Sequence, residues 1–162
     1  MADVSNSKLL QPTGILNVQD ACIVLVKTEW NAAITDELEK GCLRILQQHK
    51  VKKIVSISVP GAVEIPFAVK HHYDNRKKAD AYIVFGCVIR GGTPHFDYVC
   101  KMVADGVLQL NLSLPVPTIF GVLTVDNEQQ AWERAGGLHG HKGEEAAITA
   151  LKMIALTRKG KK

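Results

Sequence analysis

Residues 89–99 read IRGGTPHFDYV and gather the parts of an anion site that could also handle protons. The Gly91-Gly92 backbone lets a ligand approach closely, while Thr93 and Pro94 suit the N-cap and first position of a helix. His95 then falls on the second helical residue, where unpaired N–H groups attract an anion. The positive end of the helix dipole favours a neutral imidazole there, and a neutral imidazole can shuttle protons. The spacing is neither the G-x-x-x-x-G-K-[ST] of a nucleotide P-loop nor the G-x-G-x-x-G of a dinucleotide fold. Taken alone, the stretch reads equally well as an ordinary helix start.

Other residues with chemical potential are scattered along the chain. They are Trp30 in TEWN, Glu64 in PGAVE, Phe120 in IFGV, Arg134 in ERAGG and Lys142 in HKGEE. Each has a plain reading as well. Trp30 suits core packing, Glu64 a carboxylate at a helix start, and Arg134 and Lys142 solvated charges at helix ends. His139 and His141 in LHGHKG lack carboxylate or thiolate company and read as loop decoration, not metal ligands. Cys22, Cys42, Cys87 and Cys100 are far apart with no C-x-x-C pair. They indicate small buried residues in a reducing, cytoplasmic compartment, and no metal site.

Period and punctuation predict the elements that must position these residues. ACIVLVK (21–27), KIVSISV (53–59), AYIVFGCVI (81–89) and PTIFGVLTV (117–125) are short apolar runs of the buried-strand kind. Between the first two, Ile34, Leu38, Leu43, Ile45 and Leu46 fall at helical spacing, with acidic residues early and His49-Lys50 late, as a helix dipole prefers. IPFAVKHHYDNRKK gives a second helix with a charged turn. HFDYVCKMVADGVLQLNLS gives a third, with Phe96, Val99, Val103, Val107 and Leu110 on one face. NEQQAWERA starts a short helix capped by Asn127 or Asp126, and a last helix carries Ala147, Leu151, Ile154 and Ala155 inward.

The order β-α-β-α-β-α-β-α-α predicts one doubly wound α/β domain over 1–162, with residues 1–20 as an N-terminal extension and 158–162 as a basic tail. In such sheets ligands bind beyond the carboxyl ends of the strands. Trp30, Glu64, the Gly91–His95 turn and Phe120 are expected to converge there, one at each strand end.

Composition narrows the partners. Of 162 residues, 46% are hydrophobic and 22% charged, which is globular. No apolar run reaches the roughly 18 residues of a membrane span, and MADVSNSK lacks a signal-peptide pattern. The net charge is +4, but TRKGKK alone holds four of the positive charges, and no Lys/Arg stripe interleaved with aromatics argues for nucleic acid.

The segments EWN, VPGAVEIPFA, GCVIRGGTPHFDYVC, PTIFGVLT, ERAGG and HKGEEAA, in this order and spacing, resemble the 6,7-dimethyl-8-ribityllumazine synthase family of riboflavin biosynthesis, from Ala21 to Leu156. The resemblance implies a three-layer α/β/α sandwich around a four-stranded parallel, flavodoxin-like sheet. It implies a transferase that condenses 5-amino-6-ribitylaminouracil with 3,4-dihydroxy-2-butanone 4-phosphate, releasing phosphate and water without a cofactor or metal.

It also implies roles for individual residues. Trp30 would stack on the pyrimidine, and Ala62, Val63 and Glu64 would hold the ribityl chain. Cys87, Val88 and Ile89 would face the ring with their backbone. Gly92 and Thr93 would form the phosphate turn, Arg134 would grip the phosphate, and His95 would transfer protons. Phe120 would come from a neighbouring subunit, and Lys142 would lie near the phosphate end. Family members form homopentamers, and some build shells of twelve pentamers. The GGLHGHKG connection has no insertion of the kind that marks members stopping at the pentamer, which leaves a shell open to this chain. A flavin-storing protein and a shell with vestigial chemistry are the competing readings. The intact Gly92, Thr93, His95 and Arg134 set favours the enzyme.

Overall fold

A computed structural model describes residues 7–11, 13–15, 18–76 and 79–159. The apolar runs form four parallel strands: β1 (Cys22–Thr28), β2 (Lys53–Val59), β3 (Ala81–Ile89) and β4 (Thr118–Val125). Their order across the sheet is β2-β1-β3-β4, with Leu25 opposite both Ser56 and Ile83, and Val84 opposite Phe120. The helices are α1 (Ala32–Gln48), α2 (Ile65–Arg76), α3 (His95–Ser113), α4 (Glu128–Trp132) and α5 (Lys142–Lys159).

Alternation along the two central strands builds a core on each face. Ile23, Leu25, Ile83 and Phe85 pack with Leu38, Cys42 and Leu46 of α1 and with Leu151 and Ile154 of α5. Val24, Val26, Tyr82 and Val84 pack with Val69 of α2 and with Val103, Val107 and Leu110 of α3. The result is a three-layer α/β/α sandwich, as expected.

Several expectations need correction. On α1, Cys42 lies in the buried stripe, while Leu43 and Ile45 are only half-buried. No acidic residue occupies the first turn of α1. Asp36 and Glu39 instead bind the Lys27 ammonium of β1 at 2.7 and 2.5 Å. Partial burial pulls the Lys27 pKa down, but the two carboxylates outweigh it, and the pKa stands above the ordinary lysine value. Asn127, not Asp126, caps α4, its side chain accepting from Gln130 N–H at 3.0 Å.

The connection after α4 folds into a small hairpin, β5 (Ala135–Gly137) with β6 (Gly140–His141). There His141 is no decoration. Its ring is about nine-tenths buried against Gly41 of α1, with Glu37 Oε1 3.8 Å away. The start of the basic tail is ordered helix, because α5 runs to Lys159 and Arg158 pairs with Asp20 at 2.8 Å and Asp80 at 3.5 Å. Lys77 and Lys78 of the charged turn, residues 160–162, and positions 1–6, 12, 16 and 17 lie outside the described residues.

Gly143 fixes the approach of α5 to α1, since a Cβ there would run into the Leu38 carbonyl. Backbone cannot step aside as a side chain can. Gly143→Ala is therefore expected to cost about 3 kcal/mol, the upper end of ordinary overpacking. Thermal unfolding followed by circular dichroism should show a midpoint lower by roughly 6–12 °C.

Candidate active site

At the carboxyl ends of β1, β2 and β3 the main chain ties three loops together. Glu29 N–H donates to Val59 O at 2.9 Å and Trp30 N–H to Pro60 O at 3.3 Å, joining the loop after β1 to the loop after β2. Asn31 joins both to β3, donating from Nδ2 to Cys87 O at 2.8 Å. This residue starts α1, its carbonyl accepting from Ile34 and Thr35 N–H, yet it sits in the left-handed region at φ 57° and makes no side-chain cap. An asparagine tolerates that conformation at little cost. Its amide is left to reach across the sheet. Sequence reading gives Asn31 no role of its own, although it closes the EWN segment at a strand-to-helix junction.

Trp30 is 73% exposed, so the core-packing reading does not hold. Ala62, Val63 and Glu64 form one 3-10 turn leading into α2. A Cβ built on Gly61 would lie 3.0 Å from Glu64 Oε2 and 3.5 Å from Trp30 Cδ1. The indole edge and the carboxylate thus flank one buried glycine, an apolar plate beside an acceptor. Cys87 is buried and its thiol is turned into the core; burial first, and Glu128 second, push its pKa up to about 11. Val88 and Ile89 complete the strand end, paired with Thr124 and Val125.

Gly92 and Thr93 form an exposed bend after β3, and His95 opens α3 on the surface. The expected Thr93 cap is absent. Pro94 takes the N-cap position at φ −62° and ψ −5°, and no side chain caps the helix. The N–H groups of the first turn are thereby left for another acceptor, except that of Asp97, which donates to Pro94 O at 3.0 Å.

Phe120 does not join this group. It is the third residue of β4, which continues to Val125, so it lies toward the opposite end of the sheet from the carboxyl edge. It is 43% exposed and lines an open cavity of about 820 Å³ along the outer side of β4. Arg134 and Lys142 line the same cavity, with Glu145 and Thr149, and no residue of the strand-end group does. Among the described residues no strand pairs with that side of β4.

Arg134 is held by Nη1 donating to Gln130 O at 2.8 Å, and its own carbonyl accepts from Lys142 N–H at 2.8 Å. The Lys142 ammonium is buried and bound by both oxygens of Glu145, at 2.7 and 2.9 Å. Its charge is neutralised locally, whereas among the described residues no carboxylate pairs with Arg134. One chain therefore carries its candidate residues as two separated groups, two candidate half-sites. Trp30, Glu64, Cys87–Ile89, Gly92, Thr93 and His95 form the first; Phe120, Arg134 and Lys142 form the second.

Residues 20–158 match the family model described as 6,7-dimethyl-8-ribityllumazine synthase. The chain is similar to the protein of that name from Parabacteroides distasonis, 50% identical over 134 residues covering 82% of this chain and 83% of the relative. It is also similar to those from Cytophaga hutchinsonii, 46% identical over 88% and 91% of the two chains, and Bacteroides fragilis, 47% identical over 80% and 92%. By the span of the family match and the extent of this identity, the chain belongs to the 6,7-dimethyl-8-ribityllumazine synthase family.

Proposed function

We propose that the protein, acting as a single domain over 1–162, condenses 5-amino-6-ribitylaminouracil with 3,4-dihydroxy-2-butanone 4-phosphate to give 6,7-dimethyl-8-ribityllumazine. The observation that carries this beyond family membership is the exposed Trp30 ring set beside Glu64 across Gly61. A large aromatic left in water is costly unless something flat covers it. A pyrimidine covers the ring, and the ribityl hydroxyls donate to the carboxylate.

In this reading Ala62 and Val63 shape the ribityl groove, and the Cys87–Ile89 main chain faces the pyrimidine. The bend at Gly92 and Thr93, with the uncapped first turn of α3, takes the phosphate. His95 gives and takes the protons of imine formation and phosphate loss. The remaining acceleration comes from holding two reactants in one orientation.

The second half-site belongs to the reaction through another copy of the chain. The open side of β4, with which no described strand pairs, is an edge of the kind another chain covers. A neighbour seated there would bring Phe120, Arg134 and Lys142 against the strand ends of the first copy. Arg134 then grips the phosphate, with Phe120 against the ring. A ring of such contacts is a closed homo-oligomer, and the pentamer of the family, alone or in a shell, is the assembly we assign. Cys42, Cys87 and Cys100 carry free thiols, which fits a reducing cytoplasm.

Purified protein supplied with both substrates should form product with lumazine absorbance and fluorescence. No product at saturating substrate would remove the assignment and leave ligand storage or shell building. His95→Ala is expected to lower kcat by roughly 10²-fold without abolishing turnover, the ordinary contribution of one acid–base group.

A further inference from the structure

The turn from β3 to α3 has no packing of its own. Arg90 through His95 are all exposed, and a Cβ built on Gly91 or Gly92 would meet nothing within 4 Å. Such a turn is placed only by its two ends and by whatever reaches across it. Arg90 does both.

Its N–H donates to Val125 O at 2.9 Å, continuing the β3–β4 ladder by one residue. Its Nε donates to Asp126 Oδ1 at 3.1 Å, just past the end of β4. Its Nη2 lies 3.3 Å from Asp97 Oδ1, and its guanidinium carbon sits 4.1 Å from the centre of the Phe96 ring, both on the first turn of α3. One planar side chain therefore joins the end of β4 to the start of the helix that carries His95. A planar guanidinium serves two carboxylates from its edge while its face lies on a ring, a geometry that a point-charge ammonium does not reproduce.

We propose that Arg90 is a positioning residue for the phosphorylated substrate. It does not bind the phosphate; it sets the Gly91–Pro94 turn against α3, so that the N–H groups of the turn and His95 meet one phosphorylated ketone. Both of its carboxylate partners are already engaged, and the Asp126 hydrogen bond, with Asp97 behind it, holds its pKa above the ordinary arginine value. The inference rests on Gly92, Thr93 and His95 forming the phosphate end of the site.

Steady-state kinetics on Arg90→Lys, Asp126→Asn and the double variant test it, each substrate being varied in turn. Exposed ion pairs contribute little to stability, so all three variants should melt with the parent protein. Each single substitution is expected to raise KM for the butanone phosphate by roughly tenfold, through misplacement, and to leave KM for the ribitylaminouracil unchanged. The double variant should be no worse than the more affected single one, because both changes break the same link.

A guanidinium that itself held phosphate would behave differently. Releasing it by Asp126→Asn would leave KM unchanged or lower it, and that result would overturn the proposal. So would additive effects in the double variant, or a lowered melting point with equal losses toward both substrates. Thr93→Gly, run alongside, separates the two levels. If it raises the phosphate KM while Arg90→Lys does not, the brace alone is wrong. If neither changes it, the turn is not the phosphate site and the brace falls with it.

Discussion

Arg134→Ala is expected to raise KM for the butanone phosphate by roughly 10²-fold, with binding of the ribitylaminouracil little changed. Two cations line the cavity beside β4, and they are not equivalent. Lys142 is buried with both Glu145 oxygens on its ammonium, so most of its charge is answered within the protomer. Arg134 spends one nitrogen on the Gln130 carbonyl, a neutral acceptor that fixes its direction without cancelling its charge. Removing the fork takes one or two charge-assisted hydrogen bonds from a phosphate dianion, about 3 kcal/mol together. Lysine at this position should restore only part of the loss, since a point charge cannot bind bidentately. Kinetics with each substrate varied at saturation of the other measure the effect, and an unchanged phosphate KM would withdraw the assignment of Arg134.

Two crippled variants are expected to rescue one another. Glu64→Gln/His95→Ala damages the strand-end group, and Arg134→Ala damages the cavity beside β4. If a working site takes the first group from one copy and the second from its neighbour, co-expressed subunits form some sites from two undamaged halves. Random mixing makes about a quarter of the sites intact, because each side must come from the right parent. Mixed oligomers should then recover roughly a quarter of the parent activity per site, far above either variant alone. Mixed oligomers no more active than the two variants averaged would mean that one protomer holds the whole site, contrary to the placement of Phe120 and Arg134.

Sequence reading and structure part company in instructive places. β3 over 81–89 is legible to the residue, because a continuous apolar run meets Gly-Gly and Pro there, but the start of α3 is displaced by one residue: Pro94, and not Thr93, holds the N-cap position, and His95 is the first helical residue. The rule that ligands bind at the carboxyl ends of parallel strands puts Phe120 at the end of the fourth strand. The strand runs five residues further, and chain direction puts the ring toward the other end.

Arg90 is the cation beside the turn, and its sequence position says nothing of what it pairs with. Its charge is answered by Asp126, 36 residues on, and only the adjacency of β3 and β4 brings the two together. Asn31 and His141 were illegible for a related reason. One answers a carbonyl on β3 and the other fills a gap against α1, and both partners lie far away in the chain.

Cys87 has a consequence for selectivity. The proposed reaction brings an electrophilic ketone to a strand end that carries a thiol. Burial pushes its pKa up to about 11, so that sulfur stays a neutral thiol at neutral pH, and it belongs to the core. In the proposed site the reactants would meet Cys87 as main chain and not as sulfur. The proposed site would thereby leave the substrate amine without competition from this thiol, and burial of the sulfur would exclude a dead-end thiol adduct.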